Sequence, residues 1–515
     1  MVTRKYMTLK APLLPADFLE NIWNEKENRI CLILSASMAA ILLFVILKLY
    51  PFPNFLPDSY SYIDAAYNNV NVNMWPVGYS KFLRLVSVFN SSDTGLVIVQ
   101  YSLLQIAILF LLFSIKYLLQ PGQWTVRLLF AFLVLNPLWL YIANFVSSDA
   151  LFATCSLLWL TSLFWLLYRP NVKMFILHTL VLGFVFSVRY NALYYPFISI
   201  LVVLLAKGQF KEKVLRLAIV IIPVGWFVLY TTLTFKERLG ISTFSPFGGW
   251  QMGSNALFMY AHVPPAHRKP VPKQFARIHT ITVMHMDSLS RLKQRPDQEL
   301  GIYYLWDDKA PLKLYLIQKY RSDSTTHYLK QWASVSNFYG QYGSWLIREH
   351  PGEFLRYYIW PNFINYYSPP TEFLGIFNMG SDIVDPGAVS WFGYKSNKVH
   401  HFSKNKEIII TAIFPLLLAM VNVIFFFGFI GFVVLGGFSK VSLYYRKVLW
   451  IMLLIWLGNL AFSVFASPIV LRYQAFPFIF TLAFGCLVLE FVIRQSMQEA
   501  KPTNESLGPV TDPAI

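Results

Sequence analysis

The sequence predicts an all-α polytopic membrane protein with about ten transmembrane helices and a mostly helical extracytoplasmic cap domain. Three observations carry this. Hydrophobic residues make up 56% of the 515 residues and charged residues 13%, against roughly 25% charge in a soluble domain. Apolar runs long enough to cross a hydrocarbon core, which takes about 20 helical residues, recur along the chain. One long polar stretch, 236–406, interrupts them. So little polar surface excludes an ordinary soluble enzyme, a disordered protein and a fibrous repeat. The net charge of +17 fits basic loops that hold helices in a membrane. Polyanionic substrates come second, and nucleic acid is not an expected partner.

The elements follow in order. A cytoplasmic N-terminal segment, 1–29, precedes a first span at 30–50, which is too long and lacks the small-residue cleavage site of a signal peptide. Further spans are expected at 94–119, 127–143, 149–168, 174–190, 191–207 and 217–235, completing a transmembrane region over 30–235. Only the polar patch Arg189, Tyr190 and Asn191 separates the fifth span from the sixth. The C-terminal spans, within 407–494, are 407–437, 448–466 and 473–494, followed by a Pro-rich cytoplasmic tail, 495–515. With the N-terminus inside, the short loops bearing Lys116/Arg127, Arg169/Lys173, Lys207/Lys211/Lys213/Arg216 and Lys440/Arg446/Lys447 are all cytoplasmic, as the positive-inside rule expects. That orientation suits the inner (plasma) membrane and leaves 51–93 and 236–406 on the extracytoplasmic side. Within the latter, 274–294, 310–321 and 326–364 carry apolar residues at helical spacing.

Ionisable residues concentrate at the outer ends of the spans: Asp58, Asp149, Arg189, Arg472 and, less deeply, Lys81. Only His178 is expected near the bilayer midplane, where a proton-coupled transporter usually needs charge. Asp58 follows Pro57 at a helix start, and Asp149 opens span four. For each, a bare helix cap is the common role. The functional reading makes them a base and its orienting partner, or ligands of a divalent ion. Arg189 and Arg472 run against the positive-inside bias. They suit an ion pair with a nearby Asp, or a guanidinium clamp on phosphate. Lys81 and Arg84 share a helix face and suit headgroup binding. The aromatic residues of 236–406, among them Trp250, Trp306, Tyr339, Trp345 and Trp360, suit an interfacial belt or a shield over a site. His262, His267, His400 and His401 lack metal-ligand spacing, and Cys31, Cys155 and Cys486 lie in apolar stretches with no disulfide pattern.

PDSYSYIDAA after the first span, WPVGYSKFL, NP…SSDALF, SVRYNALYYP, NFYGQYGSWLIREHPGEFLRYY and RYQAFP together resemble the GT-C membrane glycosyltransferases. In pattern they are most similar to the bacterial protein O-mannosyltransferase and lipid A aminoarabinose transferase types. The resemblance covers the span order over about 30–235 and 407–494 and reaches the large loop only in patches. It implies inverting transfer of a sugar from a polyprenyl-phosphate-linked donor to a lipid, glycan or protein acceptor hydroxyl at the outer face. By resemblance, Asp58 is the catalytic aspartate of the first loop, acting as general base, and Asp149 is the acidic residue of the second loop, counted with it as catalytic. Arg472 is the arginine near the last outer loop, and Lys81 and Arg189 join it as donor-phosphate contacts. Asp58 is followed by Ser59, so a paired-acid motif is missing and a divalent metal ion stays open. A transporter or flippase of lipid-linked saccharides, which predicts inverted repeats and broken helices, is the alternative. A non-catalytic assembly partner is a third reading.

Overall fold

The computed structural model describes residues 15–299, 301–323 and 325–499. The expected N-terminal segment falls partly, and the C-terminal tail largely, outside the described residues. Among those described there is no β-strand, only isolated bridges. Eight helices among the described residues are long and apolar enough to cross a membrane: Lys26–Leu49, Asp93–Leu119, Gln123–Ala143, Ser148–Tyr168, Phe210–Leu239, Ile409–Val434, Leu443–Ala466 and Leu471–Gln498. The other two expected spans are the shorter apolar helices Val172–Val188 and Tyr190–Leu205. The polar patch divides them because Arg189 is extended, at φ −151° and ψ 146°.

Local chemistry sets the ends. Ser92, Asn171 and Ser442 each accept a main-chain N–H of the helix they open, which satisfies one of its unpaired first-turn donors. Gly240, left-handed at φ 73°, closes the 30-residue helix Phe210–Leu239. Asn136-Pro137 interrupts Gln123–Ala143, and the Asn136 side chain accepts the N–H of Leu138 at 3.0 Å.

Ser148–Tyr168 is the most buried span and packs between Asp93–Leu119 and Val172–Val188. Lipid supplies no hydrophobic drive between helices, so polar pairs matter there. Trp165 Nε1 donates to Ser114 Oγ at 3.0 Å, and Tyr195 OH to Ser156 Oγ at 2.8 Å. His178 is wholly buried, its ring nitrogens 2.7 Å from Ser162 Oγ and 3.0 Å from Ser199 Oγ.

Contacts distinguish the two ends of the bundle. At the basic end, Lys116 pairs with Asn28, Lys447 donates to the Leu205 carbonyl and Lys440 to Gln495. At the other end, residue 54 joins two loops. Asn54 N–H donates to the Asn144 carbonyl at 2.8 Å, and Val146 N–H to the Asn54 carbonyl at 3.0 Å. This bridge sets the starts of the Asp58 and Asp149 helices side by side.

The stretch after Phe210–Leu239 has a hydrophobic core of its own around Trp250, Tyr260, Tyr304, Trp332, Tyr339 and Tyr342. Its two main helices, Pro246–Tyr260 and Tyr328–Glu349, touch main chain to main chain. A Cβ on Gly249 would stand 1.7 Å from the Ser336 carbonyl oxygen, and one on Gly343 would stand 2.6 Å from that of Met252. The remainder, 372–408, returns to the first loop. Asn378 N–H donates to Asn54 Oδ1 at 2.8 Å, Tyr394 OH to Asp93 Oδ2 at 2.7 Å, and His401 stacks on Tyr50.

Candidate active site

The site is built from four chain segments that meet at the non-basic end of the bundle. In the first, Pro57 occupies the opening position of the helix Pro57–Tyr67, where its missing N–H is harmless. Ser59 Oγ accepts the Leu56 N–H at 2.8 Å. This corrects the helix-cap reading of Asp58. Asp58 lies inside the first turn, its carboxylate makes no cap bond, and it lines a cavity with 23% of the side chain exposed.

Asp149 likewise makes no helix-cap bond. Only 3% of its side chain is exposed, and it stands behind the cavity wall rather than in it. One carboxylate oxygen pairs with Arg189. The other accepts from Ser147 Oγ at 2.8 Å and lies 3.3 Å from Arg472. Arg472 then reaches forward, its Nη2 3.6 Å from Asp58 Oδ2 and 2.8 Å from the Tyr473 hydroxyl, to which it donates. Both guanidinium groups lie over the Tyr473 ring, at 4.7 Å for Arg189 and 4.6 Å for Arg472, within cation–π range. Asp58, Asp149, Arg189 and Arg472, four of the five residues singled out from the sequence, therefore form one charged cluster.

Lys81 is not part of it. Its Nζ donates to Asn69 Oδ1 at 2.8 Å and Asn71 Oδ1 at 3.0 Å, and it does not line the cavity. Partial burial, then the nearby charges of Arg84 and Arg238, lower its pKa. It belongs to a separate basic group. Its helix seats the site in another way: a Cβ on Gly78 would come 2.5 Å from the Ser187 carbonyl oxygen, so glycine permits close packing beside Arg189 and does not serve a turn. Behind it, Tyr79 OH donates to Gln100, whose amide donates to the carbonyls of Ala143 and Phe145 at 2.7 and 3.0 Å.

Two further groups complete the site. Tyr62 lines the cavity and hydrogen-bonds Ser148 at 3.1 Å. Burial first, and the Asp58 charge next, raise its pKa while Arg189 opposes them, so it serves as a neutral phenol. Glu372 has no counterpart in the sequence reading, because an acid after Ser-Pro-Pro-Thr has no informative spacing. Burial raises its pKa, Arg472 opposes this and Asp58 adds to it. Its φ of 44° is left-handed, which costs a non-glycine residue about 1–3 kcal/mol.

The cavity holds about 610 Å³. Its far wall is aromatic: Trp75 packs on Phe247 and Trp306, at ring distances of 4.7 and 5.7 Å. It is therefore amphipathic, with arginines and Asp58 at one end and apolar rings elsewhere. Among the described residues, no group of three or more His, Cys, Asp or Glu could hold a metal ion. The carboxylate oxygens of Asp149 are already taken by guanidinium groups, so the cluster does not fit a divalent cation.

No protein-family model, curated protein or solved structure matches this chain.

Proposed function

We propose that this chain is an integral-membrane inverting glycosyltransferase of the GT-C type, using a polyprenyl-phosphate-linked sugar donor. One observation supports it above the rest: Arg472 joins Asp58, at the cavity, to the buried Asp149–Arg189 pair. A lipid-linked sugar phosphate is amphipathic, and so is the cavity. In this reading the basic end of the bundle is cytoplasmic, the ten apolar helices all span the membrane, and 236–406 caps the site on the extracytoplasmic face.

The chemistry is as follows. The acceptor hydroxyl attacks the anomeric carbon from the face opposite the phosphate. The new carbon–oxygen bond forms as the sugar–phosphate bond breaks, and that bond's electron pair leaves on the phosphate oxygen. The acceptor proton passes to Asp58, a contribution on the order of 10²–10⁴ in rate. Arg472, with Arg189 behind it, offsets the growing phosphate charge. Asp149 is a positioning residue that holds both guanidinium groups. No step is assigned to Lys81.

The test is transfer from a native polyprenyl-phosphate-sugar extract by the full chain in proteoliposomes. Asp58→Asn is expected to lower turnover by about 10²–10⁴ with unchanged membrane insertion. Full retained activity defeats the role of Asp58. A flippase instead predicts movement of the lipid-linked saccharide across the vesicle without a covalent product. The concentration of charge at one end of the bundle favours the transferase.

A further inference from the structure

We propose that a second, polar groove beside the cavity is a binding site for a neutral, hydroxyl-rich saccharide, which it leads to the cavity as acceptor. The word acceptor rests on the transferase reading; the saccharide site does not.

The groove runs between Pro246–Tyr260 and Tyr328–Glu349 and holds about 630 Å³. Its floor is main chain, because the close approach at Gly249 and Ser336 leaves no side chain between the helices. Ser242, Thr243, Asn337, Gln341 and Ser344 line it. Asp, Glu and Lys are missing from the lining, and Arg348 is its one charged side chain. Ser245, Gly248 and Met252 line both the groove and the charged cavity, so the two spaces share a wall.

Ser336 points to a ligand. It also lines the groove and is only 4% exposed, yet its hydroxyl has no hydrogen-bond partner among the described residues. A helical serine commonly bonds back to a carbonyl of the preceding turn, as Ser334 does to Gln331 at 2.8 Å. The Ser336 hydroxyl is open to the groove rather than sealed off, so a ligand hydroxyl there can take up its free bonding capacity. The side chains of Asn337, Gln341 and Ser344 are also without partners among the described residues. Uncharged donors and acceptors in this density complement sugar hydroxyls, each of which donates one bond and accepts others. A peptide with apolar side chains finds little to bury them, since Ile241, Met252 and Ala333 are the only hydrophobic side chains in the lining.

The test uses the full chain, fluorescently labelled in detergent, on an array of neutral oligosaccharides with neutral peptides as controls. Binding to a subset of the oligosaccharides and not to the peptides is expected. Asn337→Leu and Gln341→Leu, both at exposed helical positions, are each expected to weaken it at least about 10-fold, the effect of one to two lost hydrogen bonds. Ser336→Ala removes only a hydroxyl and is expected to weaken it without altering the melting temperature. Absence of oligosaccharide binding, equal binding of peptides, or binding that survives all three substitutions overturns the proposal. A parallel measurement with polyprenyl phosphate in nanodiscs, wild type against Arg472→Ala, tests the cavity. Loss of the groove result alone leaves the transferase reading standing. Loss of the nanodisc result alone removes that reading and leaves a saccharide site.

Discussion

At the residue scale, the two aspartates that look alike in sequence carry different loads. Asp149 is buried between two guanidinium groups, whereas Asp58 meets Arg472 loosely at 3.6 Å and stays partly open. Removing one member of a buried ion pair strands the other charge and costs about 3–5 kcal/mol. Asp149→Ala is therefore expected to lower the melting temperature of the detergent-solubilised protein strongly, while Asp58→Asn leaves it near wild type. Equal melting temperatures for the two variants would contradict this assignment. Glu372 gives a pH signature. Its folded pKa is raised above 4.5, chiefly by burial, so the folded state holds the proton more tightly than the unfolded chain. Stability contributed by this group is then present below the unfolded pKa and declines as pH rises from there through the folded pKa. Glu372→Gln is expected to flatten that decline in a melting-temperature series from mildly acidic to neutral pH. An unchanged slope rules out Glu372 as its source. A base with an orienting partner, and an arginine paired with a nearby Asp, could be read beforehand; which carboxylate is buried could not, because a first-turn aspartate reads as a cap whether its carboxylate turns back to the helix or out to a cavity.

At the element scale, legibility follows periodicity. Each apolar run expected to span is helical, since hydropathy determines it locally, though Asn136-Pro137 divides the run 127–143 into two helices. The break at Arg189 was also visible, because a charged residue followed by Tyr-Asn interrupts an apolar run. The segment 372–408 was not. It has no period, and Glu372, Asn378 and Met379 adopt left-handed backbone that only tertiary contacts sustain. Contact between the helices Pro246–Tyr260 and Tyr328–Glu349 likewise depends on single glycines whose role appears only when the partner main chain is in place. Gly249→Val puts a side chain where the Ser336 carbonyl stands. Overpacking of this kind costs about 1–3 kcal/mol or more. The variant is expected to lose cooperative unfolding of the 246–358 core, read as earlier loss of near-ultraviolet circular dichroism from its tryptophans. Retention of the wild-type spectrum and midpoint would show that the helices have room to part.

At the scale of the whole molecule, the cavity exists because the inserted stretch is pinned to the end of a span. A helix leaves its last four carbonyls without intrahelical partners. At the end of Leu443–Ala466, two inserted asparagines supply donors. Asn255 Nδ2 donates to the carbonyls of Phe465 and Ala466 at 2.9 and 3.1 Å, and Asn362 Nδ2 to that of Val464 at 3.1 Å. Arg472 follows a few residues later, so the same stretch of chain carries both the insert's anchor and a guanidinium that lines the cavity. Each bond contributes about 0.5–1.5 kcal/mol net, and the carbonyls left unpaired add desolvation. The double variant Asn255→Leu, Asn362→Leu is thus expected to free the insert while the spans stay packed. Limited trypsin digestion is the measurement, with cleavage within 246–358 accelerated relative to wild type and the spans still protected. Under the transferase reading, water then reaches the donor more easily, and donor hydrolysis rises relative to transfer. Unchanged cleavage, or equal loss of protection in the spans, shows that the two asparagines do not hold the insert.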